Sequence, residues 1–228
     1  MCKYSVVALV LILFCLQAQG MLSRRQTVSG ESVTERLSRV KRQTVIVTSE
    51  CKLGTGFYTG HKIGELKEVL TAYHLGACRK KNKAYYSNAF MVGGQGPVVV
   101  LGSSPQHDLL LLGIAEGVQH LPVLNELQFR RSVELGEQVA VIGSNPHGSP
   151  VKAYGFGKVL YAYSLEVVSK ITVPHGSSGG PVVAIADGKV LGMSNNSDMG
   201  FSGAVSAGVI LEFLESVHRQ GNFRGGKL

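Results

Sequence analysis

Residues 172–181 read Thr-Val-Pro-His-Gly-Ser-Ser-Gly-Gly-Pro. Gly176, Gly179 and Gly180 crowd Ser178 on both sides, which marks backbone that must take positive φ or approach another group closely. Such a loop lifts a hydroxyl clear of its own chain and turns the amides of Gly176 and Ser178 toward one point. Two converging N–H groups beside a nucleophile make an oxyanion hole. A plain Gly/Ser turn between strands would have the same composition and would demand nothing of the rest of the chain. A nucleophilic serine, by contrast, needs a base to take its proton and a third group to orient the base.

Two stretches upstream meet that demand. Gly54-Thr55-Gly56-Phe57 leads to Val69-Leu70-Thr71-Ala72-Tyr73-His74, an apolar strand that ends in Thr-Ala-x-His and so offers the imidazole to a loop. Asp108 stands directly before Leu109-Leu110-Leu111-Leu112. Consecutive leucines read as a buried strand, and a carboxylate at its mouth needs a donor such as an imidazole N–H. Each residue also has an ordinary alternative, a surface histidine and a turn aspartate.

Short β-rich segments separated by Gly, Asn, Asp and Ser surround these positions. Strands are expected at 43–48, 54–59, 67–72, 84–91, 97–102 and 109–114, then at 138–143, 151–163, 167–173, 181–186, 189–195 and 203–207, the spacing of an all-β barrel or sandwich. A helix is signalled only by Val209, Leu211, Phe213, Leu214 and Val217.

The patterns G-T-G-F, T-A-x-H, D-L-L-L-L and G-x-S-G-G-P, in that order, resemble the trypsin-like (chymotrypsin-fold, PA clan) serine peptidases over roughly residues 51–218. The resemblance implies an all-β fold of two antiparallel six-stranded β-barrels with a short C-terminal helix. The first barrel is expected over 43–125, the second with the helix over 126–220, and a flexible tail over 221–228. It also implies acyl transfer in the cleft between barrels. His74 takes the Ser178 proton, Asp108 holds the imidazole, and the Gly176 and Ser178 amides receive the oxyanion. The implied substrate is a polypeptide, with no metal and no cofactor, and the chain is expected to be a monomer. His74 to Asp108 spans 34 residues and Asp108 to Ser178 spans 70, which together with the stretch 136–146 resembles the compact HtrA-type or viral branches. The alternative is a catalytically silent secreted homologue acting as a binding module.

Specificity and activation are read from the same resemblance. Thr172 resembles the base of the pocket for the side chain preceding the scissile bond (P1), Ser194 and Asn195 its wall, and Gly203 the glycine that keeps it open. A base without aspartate implies a neutral P1 side chain. Ser177 occupies the place where trypsin-like zymogens carry an aspartate that pairs with the freed N-terminus, so that ion pair is not expected here.

The N-terminal region reads as targeting and processing. The apolar run Val6–Leu16 is 11 residues long, too short to span a bilayer, and residues 1–20 have the form of a secretory signal peptide. Residues 21–42 are polar, show no apolar face and end in Arg39-Val40-Lys41-Arg42. They read as a propeptide cut by a furin-like convertase between Arg42 and Gln43, giving a secreted protein with no membrane span. After Arg42 the chain holds 16 Lys+Arg against 13 Asp+Glu, net +3 rather than the +8 of the whole, so the basic balance is no argument for nucleic acid. Cys51 and Cys78, the cysteines beyond the signal, are expected to be bridged in an oxidising compartment.

Overall fold

The computed structural model describes residues 30–80, 83–94, 98–115, 127–147, 150–164, 166–198 and 200–224. Met1–Ser32 and Val33–Leu228 are separate compact units. The expected signal peptide at 1–20, the start of the 21–42 segment, the barrel boundary at 125 and residues 225–228 lie outside the described residues. The fold that follows is that of the second unit.

Its first sheet contains β1 (Thr44–Ser49), β2 (Leu53–Ile63), β3 (Leu66–Ala72), β6 (Phe90–Val92), β7 (Val99–Ser104) and β8 (Leu109–Ala115). The order is β6-β1-β2-β3-β8-β7, every pair antiparallel. Where a closed barrel was expected, no pairing joins β6 to β7 among the described residues. β4 (Ala77–Lys80) and β5 (Lys83–Tyr86) form a separate hairpin. The single strand expected at 84–91 is split between β5 and β6, with the Ser87 N–H bonded to the Gly76 carbonyl at 2.7 Å, and Cys78 of β4 is tied to Cys51 by a disulfide with Cα atoms 5.8 Å apart.

The second sheet closes fully. β9 (Gln138–Gly143), β10 (Lys152–Ala162), β11 (Glu166–Ser169), β12 (Pro181–Ala184), β13 (Val190–Asp198) and β14 (Phe201–Ser206) form a barrel in the order β10-β11-β14-β13-β12-β9. Period-two alternation sorts its side chains between two cores. Val139 and Val141 of β9 join Val167, Val182, Leu191 and Ala204 inside the barrel. Ala140 and Ile142 face the other way, into the larger core shared with Phe57, Leu70 and Leu109–Leu112. All four leucines of β8 are fully buried in the larger core, so this strand has no solvent face to alternate with. Fully burying such a side chain contributes about 1.5–3 kcal/mol.

Two helices frame the sheets. The C-terminal helix α2 (Ala207–Arg224) buries Val209, Ile210, Phe213, Leu214 and Val217 and runs past the expected start of a tail at 221. Its His218 Nε2 lies 2.6 Å from Oε1 of Glu68 on β3. Glu68 is wholly buried, and its second oxygen accepts from Thr59 Oγ1 at 2.9 Å. A buried carboxylate without these partners would be costly, so the pair fixes helix to sheet.

The other helix, α1 (Val33–Arg42), occupies a segment expected to have no apolar face. Leu37 and Val40, three residues apart and hence on one side of the helix, are both buried in the larger core. Arg36 Nη1 donates to the carbonyls of Ile185, at 3.1 Å, and of Ala186. Gln43, which follows, is only 4% exposed, its N–H bonded to the Val40 carbonyl at 3.0 Å and its own carbonyl accepting from Tyr58 N at 2.8 Å. With so few apolar residues, the face emerges only when there is a surface to receive it.

Two outcomes are expected. His218→Ala should strip a partner from the buried Glu68 and lower stability by about 3 kcal/mol in denaturant unfolding. The Arg42–Gln43 bond of the folded chain should resist a basic-site protease under conditions that fully cut a synthetic peptide of residues 33–48. Equal rates for chain and peptide would mean that α1 is not docked in solution.

Candidate active site

His74 lies in a 3-10 turn, Tyr73–Gly76, directly after β3, and Asp108 caps a second such turn, Pro105–His107, directly before β8. Because β3 and β8 pair from Leu66↔Ala115 to Ala72↔Leu109, the register alone brings these ends together. His74 Nδ1 is 2.8 Å from Asp108 Oδ2, and the His74 backbone N–H donates to Oδ1 at 2.8 Å. The Asp108 carbonyl accepts from Tyr73 N at 3.0 Å. Asp108 is the one non-glycine residue among those described with positive φ, at 55°. An L-residue in this left-handed region costs on the order of 1 kcal/mol, and strain of that kind concentrates where geometry is used.

The surroundings hold the pair in place. Lys52 Nζ donates to the His74 carbonyl at 2.9 Å. Tyr73 stacks on Tyr86 with centroids 4.4 Å apart. Burial, then the neighbouring Tyr73 and Asp108, push the Tyr86 phenol above its ordinary range, so it stays neutral. A cavity of about 800 Å³, lined by Lys52, Tyr73, Arg79, Tyr85 and Tyr86 beside the Cys51–Cys78 bridge, opens next to this turn.

The serine loop comes from the second barrel and is seated on the first sheet. Ser177 N bonds the Pro174 carbonyl at 3.2 Å and Gly176 has φ 95°. An i→i+3 bond with positive φ at the third residue is a type II turn, which leaves the Gly176 amide free of any hydrogen bond among the described residues, as is that of Ser178. Thr55 N donates to the Ser178 carbonyl at 2.8 Å, and Thr55 Oγ1 to the Gly176 carbonyl at 2.6 Å. Ser144 adds Oγ to the same Gly176 carbonyl at 3.2 Å, and its N–H donates to Thr55 Oγ1 at 3.0 Å. Ser177, fully buried, donates Oγ to the Ser144 carbonyl at 3.2 Å. Neutral hydroxyls therefore brace the loop where an aspartate ion pair was ruled out by sequence. Gly179, with φ 88°, lies so close to Thr55 and Ala72 that a side chain there would collide with their backbone, and one at Gly180 would strike the Ile142 carbonyl. This packing puts Ser178 beside the end of β3, two residues from His74 in sequence at Ala72. Among the described residues no hydrogen bond joins Ser178 Oγ to His74, whose Nδ1 is engaged by Asp108.

The residues assigned to the specificity pocket have distinct places. Ser194 is 1% exposed and uses its main chain to hold the loop, its carbonyl accepting from Gly179 N at 2.6 Å and its N–H bonding the Gly180 carbonyl at 2.8 Å. Asn195 is the residue at which the β13–β14 register shifts, and its Oδ1 is buried without a partner. Gly203 N donates to Asn196 Oδ1 at 2.9 Å. Thr172 is exposed, opposite Gly200. Sequence reading gave no role to Thr55 and Ser144, although they stand inside the G-T-G-F and 136–146 stretches, nor to Glu166 and Asn196, which carry no local signal of a shared site.

Residues 54–193 match the family described as trypsin-like peptidase domain. No curated protein sequence gives a match. The fold is similar to that of the serine endoprotease from Yersinia pestis, with TM-score 0.65 and 20% identity, covering 85% of this chain and 69% of that one. It is similar to the HtrA-type protease AlgW with tripeptide, at TM-score 0.65 and 20% identity over 84% of this chain and 65% of the other. A protease from M. tuberculosis in its active form gives TM-score 0.63 and 22% identity, with 80% and 83% covered. At such identities the likeness is one of fold. Because the family match spans more than half of the chain and the two β-sheets have the chymotrypsin-like arrangement, this chain belongs to the trypsin-like peptidase family.

Proposed function

We propose that the chain is a serine endopeptidase that cleaves polypeptides through an acyl-enzyme, with His74, Asp108 and Ser178 as the catalytic residues. The observation that carries this reading is the 2.8 Å contact from Asp108 Oδ2 to His74 Nδ1. A carboxylate at Nδ1 holds the proton there and leaves Nε2 as the basic nitrogen. Nε2 then takes the Ser178 proton as Oγ attacks the carbonyl carbon, and Asp108 stabilises the imidazolium that forms. The oxyanion is received by the Gly176 and Ser178 amides, and the imidazolium returns its proton to the leaving amine. Water, activated by the same nitrogen, hydrolyses the ester. The cavity beside Tyr73 gives the leaving segment room on the histidine side.

In the same reading the protein is secreted as a monomer after loss of residues 1–20, and a furin-like convertase cuts between Arg42 and Gln43 while α1 is unseated. The buried hydroxyl brace supports a loop whose shape does not wait for a new N-terminus. The neutral P1 preference expected from Thr172 concerns the base of the pocket only.

Three variants test the reading. Ser178→Ala should abolish labelling by a fluorophosphonate and peptide cleavage while leaving thermal unfolding within a few degrees of the parent; retained labelling at another residue would sink it. Asp108→Asn should cut kcat by about four orders of magnitude, since it favours the wrong tautomer. Thr55→Val removes the donor to the Gly176 carbonyl and should lower kcat by roughly tenfold, about 1.4 kcal/mol, with KM little changed.

A further inference from the structure

Glu166 opens β11 and pairs with Val205, while Asn196 on β13 pairs with Gly203 on the opposite flank of β14. Directly paired residues share a face of a sheet. Ala204 points into the barrel with the inner core, and Val205 points outward with the larger core. Gly203, Glu166 and Asn196 therefore lie on the outer face, beside β13, whose Ser194 main chain holds the serine loop. Gly203 has no side chain, and two oxygens fill the space that one would take. A Cβ there would collide with Asn196 Oδ1 and stand 2.7 Å from Glu166 Oε1. Asn196 Oδ1 accepts from Gly203 N and keeps a second lone pair. Among the described residues no cation pairs with Glu166, which is half-buried.

Two acceptor oxygens, one of them an uncompensated carboxylate, thus converge over a glycine. The strand position of Asn196 is two residues, about 7 Å, from Ser194, to which the nucleophile loop is bonded. A group placed there by a substrate must carry N–H donors and positive charge, and must hang on a long side chain. Shorter donors such as serine or asparagine would fall short, and an acidic side chain would be repelled.

We infer that Glu166, with Asn196 Oδ1, makes the pocket selective for a lysine or arginine side chain at the residue before the scissile bond. Selectivity comes from the neighbouring strand and not from the pocket base, where Thr172 offers no charge. This revises the neutral preference expected from Thr172, and it rests on the peptidase reading for its role in cleavage.

The test has a catalytic and a binding arm. Peptides that differ only in P1, carrying Lys, Arg, Gln, Leu or Glu, are compared by kcat/KM for the parent and for Glu166→Gln. Lys and Arg should lead Leu by at least tenfold in the parent. Glu166→Gln should cost them tenfold or more while moving the Leu peptide less than twofold. Equal loss on all peptides, or a parent that favours Leu or Glu, overturns the inference. In the binding arm, Ser178→Ala is titrated with 4-aminobenzamidine, an aromatic amidinium cation, with and without Glu166→Gln. Saturable binding lost on adding Glu166→Gln supports the cation site even if no peptide is cut, in which case the peptidase reading alone fails. Absence of binding that depends on Glu166 overturns the site whatever the cleavage results.

Discussion

Thr55 joins the two sheets at the point where chemistry would occur. Its N–H and hydroxyl hold the carbonyls of Ser178 and Gly176 at 2.8 and 2.6 Å, and its oxygen in turn accepts the Ser144 amide. Thr55, Ser144 and Ser177 are all wholly buried, so a bond left unmade would cost about 1–3 kcal/mol with no water to replace it. With both carbonyls of the serine loop held, the intervening turn is confined to the form that leaves the Gly176 and Ser178 amides unbonded. The brace is made of uncharged groups, and its strength does not depend on a processed terminus or on salt.

The opposite half of the site is positioned by sheet register. β3 and β8 are paired along their whole lengths, and the chain reaches the cleft at Ala72 and Leu109, where the two strands end together. Leu109–Leu112, buried on both faces, anchor one end, and the left-handed backbone of Asp108 turns the carboxylate back onto His74. A strained residue at the mouth of so rigid a strand persists because the surrounding packing over-determines it. The Cys51–Cys78 bridge and the Tyr73–Tyr86 stack flank the histidine turn.

The N-terminal helix shows that a polar, basic segment can still carry a buried face. Beside the charges of Arg39, Lys41 and Arg42, Leu37 and Val40 insert into the main core and Arg36 caps the carbonyls of the turn that follows β12. The basic residues of the last turn of α1 stand on helical backbone, with Val40 between them fully buried.

The sequence by itself determined the elements whose residues obey local rules. Glycines around Ser178 betray positive φ and close packing, four leucines betray a strand buried on both faces, and residues at strand ends betray His74 and Asp108 as cleft groups; fold class followed from their order. Only the tertiary structure decided the parts that depend on what lies across a strand pair or beneath a helix. Thr55, Asn196 and Glu166 on their strands, and Ser144 just past β9, look like any polar residue until the closed sheets put their oxygens beside the serine loop and over Gly203. The two apolar residues that α1 buries, Leu37 and Val40, have no seat until the core offers them one. The physical reason is range: backbone conformation is dictated by a residue and its neighbours, whereas hydrogen bonds and burial between distant segments exist only after the sheets have closed.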